Sequence, residues 1–257
     1  MIKILEIGGL GIACRVNDGG FIRGRRNLIF VHGSGVDHAV WDGQFDAMEK
    51  DFNMAALDLP GHGSSGGGGE EDVYLYMEWV RKAVEMLSME SPVIVGHSLG
   101  AAISLALALA CPGMLSGIVV VGGGARMPVS KMVFDGIRDN FQGFIALSPD
   151  FAVHRENLEG VRGLLLEGFS RAKPEVFFGD FTACNGFDIE GRLGEINLPT
   201  LIVCGEKDMM MPPEFSQALN EKIEGSLLEM VPVCGHFPML EKKAAFNAII
   251  EKFVGAL

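Results

Sequence analysis

Gly96-His97-Ser98-Leu99-Gly100 places a hydroxyl between glycines two positions to either side. The apolar, β-branched run Pro92-Val93-Ile94-Val95 precedes it, and an Ala- and Leu-rich stretch over 99–111 follows it. The spacing predicts a serine on a sharp strand-to-helix turn, with Gly96 and Gly100 giving the bend its room. With 35 glycines in the chain the bare pattern means little, and its flanks give it weight. A helix N-terminus under the serine favours the negative charge that develops when a hydroxyl attacks a carbonyl. The hydroxyl also needs a base to take its proton, and the base needs a carboxylate to hold its tautomer. Six histidines are available: His32, His38, His62, His97, His154 and His236. Two carboxylates follow the apolar run Pro199 to Cys204, namely Glu206 and Asp208, and Glu206 lies too close to the end of that run to reach far. A second turn, His32-Gly33-Ser34-Gly35, has glycines that let a backbone N–H face a substrate oxygen. The amides of Ser34 and Leu99 are its candidate donors for a tetrahedral oxyanion.

These groups need a frame, and the hydrophobic pattern supplies one. Short strands are predicted over 27–31, 54–57, 92–95, 118–121, 199–204 and 227–231, with two more around Gly8-Gly9. Helical stretches fall between them, over about 39–49, 71–89, 99–111 and 241–254, and Pro212-Pro213 can open another. Apolar strands without alternation, separated by helices, mean an α/β fold: a mostly parallel central sheet flanked by helices. From 125 to 187 no strand is evident and phenylalanine is dense, which reads as a helical insertion.

Together these residues resemble the α/β-hydrolase superfamily. The resemblance rests on His32 to Gly35, Trp41, the loop Asp58-Leu59-Pro60-Gly61-His62-Gly63-Ser64, the serine turn, Gly205 to Asp208 and Gly235-His236. It implies an α/β-hydrolase core over 1–124 and 188–257, with 125–187 as a helical cap. In this fold the base follows the last strand, which selects His236, and the order Ser98, Asp208, His236 is the expected one. Some relatives place the acid after the strand that follows the serine helix. Here that stretch, Gly122-Gly123-Gly124-Ala125-Arg126, has no carboxylate, which points back to Asp208. The resemblance also implies that the Asp58 to Ser64 loop is a structural turn near the site and that His62 is scaffold.

The implied activity is hydrolysis of small to medium carboxylic esters through an acyl-enzyme, with no metal or organic cofactor. The same triad serves carbon–carbon bond hydrolases, lactonases, amidases, cofactor-free peroxidases and lyases, and some relatives are ligand receptors with little turnover. His32, Trp41, Met209, Met210 and Phe237 are candidates for the substrate pocket, although thioethers and rings serve core packing equally well. The net charge of −12 disfavours nucleic acid as a partner. The longest apolar internal run, 101–110, is half of what a membrane span needs, and Glu6 interrupts any leader-like stretch. Five widely spaced cysteines without a CxxC pair favour buried, reduced thiols in a cytoplasmic protein. A monomer or homodimer is expected.

Overall fold

The computed structural model describes residues 1–257. The N-terminal strands β1 (Ile2–Ile7) and β2 (Leu10–Val16) form a hairpin whose two-residue turn, Gly8-Gly9, has φ of 59° and 84°. Positive φ at both positions matches the right-handed twist of the flanking strands, and glycine supplies it without strain. Six further strands follow: β3 (Asn27–Val31), β4 (Asn53–Leu57), β5 (Val93–His97), β6 (Gly117–Val121), β7 (Thr200–Gly205) and β8 (Leu227–Val231). They form one eight-stranded sheet in the order β1-β2-β4-β3-β5-β6-β7-β8. The two pairings of β2 are antiparallel and the rest are parallel.

Each central strand feeds two cores. Ile29, Val31, Ile94, Ile118, Val120 and Ile202 face one, while Leu28, Phe30, Val93, Val95, Val119 and Val121 face the other. That is the period-two alternation of a strand covered on both sides, which explains the unbroken apolar runs. The helices α1 (Asp42–Met48), α2 (Val73–Leu87) and α3 (Leu99–Ala110) precede the insertion. A 3-10 turn over His38–Trp41 leads into α1, so the predicted helix 39–49 is two short pieces. Helix α2 is trimmed at both ends by its caps: Asp72 accepts Tyr74 N–H, and Ser88 adopts a left-handed conformation.

Between β6 and β7 the chain forms four helices: α4 (Lys131–Asp139), α5 (Phe141–Ala152), α6 (Leu158–Arg171) and α7 (Pro174–Gly186). Phe177 is their hub, with the rings of Phe141, Phe144, Phe169 and Phe181 at centroid distances of 5.7, 5.9, 5.8 and 5.3 Å. The phenylalanine density therefore serves packing. Helix α8 (Pro213–Lys222) follows β7. The predicted C-terminal helix is broken at Lys242 (φ −133°, ψ 47°) into α9 (Pro238–Glu241) and α10 (Lys243–Gly255).

Strand order decides where a site can form. The chain runs from β3 outward to β4 and then returns to β5 on the other side of β3. At such a switch point the connections leave in opposite directions and open a crevice beyond the carboxyl ends of the strands. The loop 32–35 leaves the end of β3 there, and Ser98 leaves the end of β5.

Candidate active site

Ser98 sits between β5 and α3 with φ 54° and ψ −114°, a region that non-glycine residues rarely occupy. The strain is held from several sides. Ser98 N–H donates to Val121 O at 2.9 Å, which ties the turn to the end of β6. A Cβ on Gly96 would lie 2.0 Å from Gly100 O, and one on Gly100 would lie 2.2 Å from Val31 O. Only glycine fits either position, which is the physical content of the motif. Leu99 opens α3, so its N–H has no acceptor within the helix. Ser34 N–H is engaged by none of the loop hydrogen bonds, and Ser34 Oγ is buried without a partner. A Cβ on Gly33 would stand 2.9 Å from Ser98 Cβ, so the loop after β3 runs directly against the serine.

His236 and Asp208 meet across the ends of β7 and β8. His236 Nδ1 lies 2.7 Å from Asp208 Oδ2, while Asp208 Oδ1 accepts the N–H groups of Met210 and Met211, both at 2.9 Å. Asp208 and His236 are both buried. A carboxylate that only accepts fixes the proton on Nδ1 and leaves a lone pair on Nε2, and that atom is buried and unpaired. The backbone of the histidine is pinned as well. Its N–H donates to Ala152 O at 2.7 Å, and Glu241 accepts the N–H groups of both neighbours, Gly235 and Phe237. Gly122, next to the Val121 that holds Ser98, has φ 58°, and a Cβ there would lie 3.1 Å from His236 Nδ1. The same stretch of β6 therefore borders both the serine and the imidazole.

The remaining histidines can be assigned from their partners. His97 Nε2 lies 2.9 Å from His236 O, so it carries the proton, and Nδ1 is unpaired. Burial first, then the neighbouring His236, pushes the His97 pKa well below 6.5 and keeps the ring neutral. His32 donates from Nδ1 to Gly33 O at 2.7 Å and accepts Leu59 N–H on Nε2 at 3.0 Å, so it too is neutral, its pKa lowered to about 4 chiefly by burial.

Several pocket candidates take other places. His32 is fully buried with both nitrogens occupied, so it braces the loop and presents nothing to a substrate. Trp41 is fully buried against Phe30 and Phe246, at ring distances of 5.1 and 6.2 Å, and belongs to the core. Met209 and Met210 are 63% and 39% exposed and are not part of the packed core. The buried ring of Phe237 packs 4.6 Å from that of His97 and 5.5 Å from that of His236. Sequence reasoning missed His97, Gly122, Glu241 and Asp180. Asp180 had one visible sign, a lone carboxylate inside Phe177-Phe178-Gly179-Asp180-Phe181. Asp37, His38 and Asp58 bring three ligand atoms within 4.8 Å of one another. Those atoms serve internal bonds: Asp58 Oδ1 accepts from His38 N and Nδ1, Oδ2 accepts Ser64 N–H, and Asp37 Oδ2 pairs with Arg171. No helix is long and apolar enough to cross a membrane.

Comparison with known proteins identifies the family and the fold. Residues 28–249 match the family described as "Alpha/beta hydrolase family". The chain is 25% identical over 243 residues to a pimeloyl-[acyl-carrier protein] methyl ester esterase of Neisseria meningitidis serogroup A, covering 89% of this chain and 77% of that protein. Among solved structures it resembles a thermophilic esterase, with 27% identity and a TM-score of 0.87 over 100% of this chain and 98% of that one. It also shares the fold of the enol-lactonase from Burkholderia xenovorans LB400, with 18% identity and a TM-score of 0.91 over 98% and 100% of the two chains.

Proposed function

Because the chain belongs to the alpha/beta hydrolase family, we propose that it is a serine carboxylesterase in which Ser98 is the nucleophile, His236 the base and Asp208 the acid that orients it. One observation carries the reading: His236 bonds Asp208 through Nδ1 and keeps Nε2 buried and unpaired, while Val121 and Gly122 border the strained serine turn and the imidazole in succession. Ser98 Oγ attacks the ester carbonyl carbon while its proton passes to His236 Nε2. The carbonyl oxygen, now negative, receives hydrogen bonds from Ser34 N–H and Leu99 N–H. Collapse of this intermediate breaks the ester C–O bond, and the imidazolium returns its proton to the departing alcohol. Water then attacks the acyl-serine, giving its proton to His236, and the acid leaves as Ser98 recovers the proton.

The insertion over 125–187 acts as a cap. The ring of Phe177 fills the space above Gly35, where a Cβ would lie 1.7 Å from it. That contact leaves little room over the oxyanion loop and favours small to medium acyl groups. The names of the relatives, two of them esterases, support an ester over the other bonds this triad can cleave. All five cysteines are free, which suits a reducing, cytoplasmic compartment.

A graded series of p-nitrophenyl esters tests the reading together with a fluorophosphonate probe, which loses fluoride as it phosphonylates the serine oxygen. Turnover should be abolished in Ser98→Ala with the melting temperature retained, and the label should map to Ser98. Turnover in that variant, or a label on another serine, refutes the assignment. A burst of one equivalent without steady turnover would indicate a receptor in place of an esterase.

A further inference from the structure

The loop that carries the Ser34 donor is held from the insertion as well as from the sheet. Asp180, on α7, is fully buried and touches three separate parts of the body. Its Oδ2 accepts Gly35 N–H at 3.2 Å and lies 2.9 Å from His62 Nε2, and its Oδ1 accepts Tyr76 O–H at 2.6 Å. One helical turn earlier, Phe177 closes over Gly35. A carboxylate beside the site of a developing oxyanion is a liability, because like charges repel strongly where water is excluded. His62 removes the liability. Its Nε2 faces Asp180, and its Nδ1 lies 3.1 Å from Pro60 O. Both partners can only accept, so both ring nitrogens carry protons and the ring is an imidazolium.

We propose that Asp180 is a positioning residue for catalysis: paired with a cationic His62, it anchors Gly35 N–H and thereby aims the adjoining Ser34 N–H at the substrate oxygen. The insertion is then part of the oxyanion hole. This inference rests on the serine esterase reading. The groups facing His62 are Asp180 from α7, Tyr76 from α2, His32 from the end of β3 and Asp58 from its own loop. Burial alone would lower the His62 pKa, but the charge and hydrogen bond of Asp180 outweigh it and raise the value above 6.5. The pairing with Asp180 therefore favours the cation. When it is lost on the alkaline side, an uncompensated carboxylate remains beside the oxyanion, and kcat should fall as pH rises through the His62 pKa.

The test uses the full chain with a p-nitrophenyl ester, comparing wild type with Asp180→Asn and Asp180→Ala, each checked by thermal melting. Removing an oxyanion donor outright costs about 10²–10³ in rate. Loosening one should cost Asp180→Ala about 10- to 100-fold in kcat, with KM within about twofold. Asp180→Asn keeps an acceptor and the shape but discharges the pair, so it should lose less rate and also lose the alkaline fall in kcat. If the alanine variant does not fold, the pH profile of Asp180→Asn decides. Wild-type kcat in both variants, or a wild-type alkaline limb in Asp180→Asn, overturns the proposal and leaves the triad standing. An effect confined to KM also overturns it. No turnover in the wild type overturns the esterase reading and this inference with it.

Discussion

Replacing Asp208 with asparagine should reverse the imidazole without disturbing the fold. The carboxylate receives three N–H groups: His236 Nδ1–H at 2.7 Å on Oδ2, and Met210 and Met211 N–H, both at 2.9 Å, on Oδ1. A carboxamide has one oxygen and one NH2 group to place among them. Oxygen toward the imidazole sets NH2 against two backbone donors, and each buried donor left unsatisfied costs about 1–3 kcal/mol. Oxygen toward the backbone keeps both of those bonds and sets NH2 against His236 Nδ1. A backbone amide cannot reverse its polarity, whereas an imidazole can by moving its proton to Nε2. The second arrangement wins, and Nε2–H then faces Ser98 with no lone pair to accept a proton. A serine triad with its base in the wrong tautomer loses about 10⁴ in kcat, or roughly 5.5 kcal/mol of transition-state stabilisation. Three hydrogen bonds survive but lose their charge assistance, so stability should fall by about 1–3 kcal/mol. Steady-state hydrolysis of p-nitrophenyl acetate measures the first effect and a thermal melt the second. Imidazole ¹⁵N NMR should find the proton on Nε2. A folded variant with kcat within tenfold of wild type, or with the proton still on Nδ1, refutes the argument.

Two more outcomes follow from the geometry. Gly122→Ala forces a left-handed residue (φ 58°) and brings a methyl to 3.1 Å from His236 Cε1 and Nδ1. It should cost about 1–2 kcal/mol in stability and lower kcat severalfold at constant KM, since a misplacement of about 1 Å can cost 10²-fold; unchanged kcat would mean that the ring does not work where it stands. The pair of buried Asp58 and half-buried His38 makes stability depend on pH. Burial opposes both shifts, yet the mutual hydrogen bond lowers the Asp58 pKa below 3.8 and raises that of His38 above 6.5. The Asp58 contribution is present above its unfolded pKa of about 3.9 and is lost as pH falls through the folded value. The His38 contribution is complete below about 6.5 and is lost as pH rises through the folded value. The stabilisation from this pair, read as the difference in melting temperature between wild type and His38→Gln, should therefore be largest between about pH 4 and 6.5. His38→Gln should flatten the alkaline decline relative to wild type, and an identical slope in the two proteins would exclude the pair as its source.

Local chemistry made the strands, the serine turn and the order of the three catalytic candidates legible in the sequence. A run such as Val93-Ile94-Val95 has few options other than a strand covered on both faces, and Gly96 and Gly100 are dictated by backbone atoms within a few residues or on the adjacent strand. The glycines after β3 and the turn before α3 were enough to suggest Ser34 and Leu99 as amide donors from type and spacing. The pocket candidates were less legible, because an indole or a thioether is equally at home in a core. Trp41 went to the core against Phe30, while Met209 and Met210 were left facing solvent. Hydrogen bonds across large sequence separations left no periodic trace at all. Asp180 lies 145 residues from the Gly35 it holds and 118 from His62, and His97 lies 139 from the carbonyl of His236 that it supports. Which side chains meet over such spans depends on how the helices close over the strand ends. The protonation of each buried histidine depends in turn on whether the atom it meets there donates or accepts.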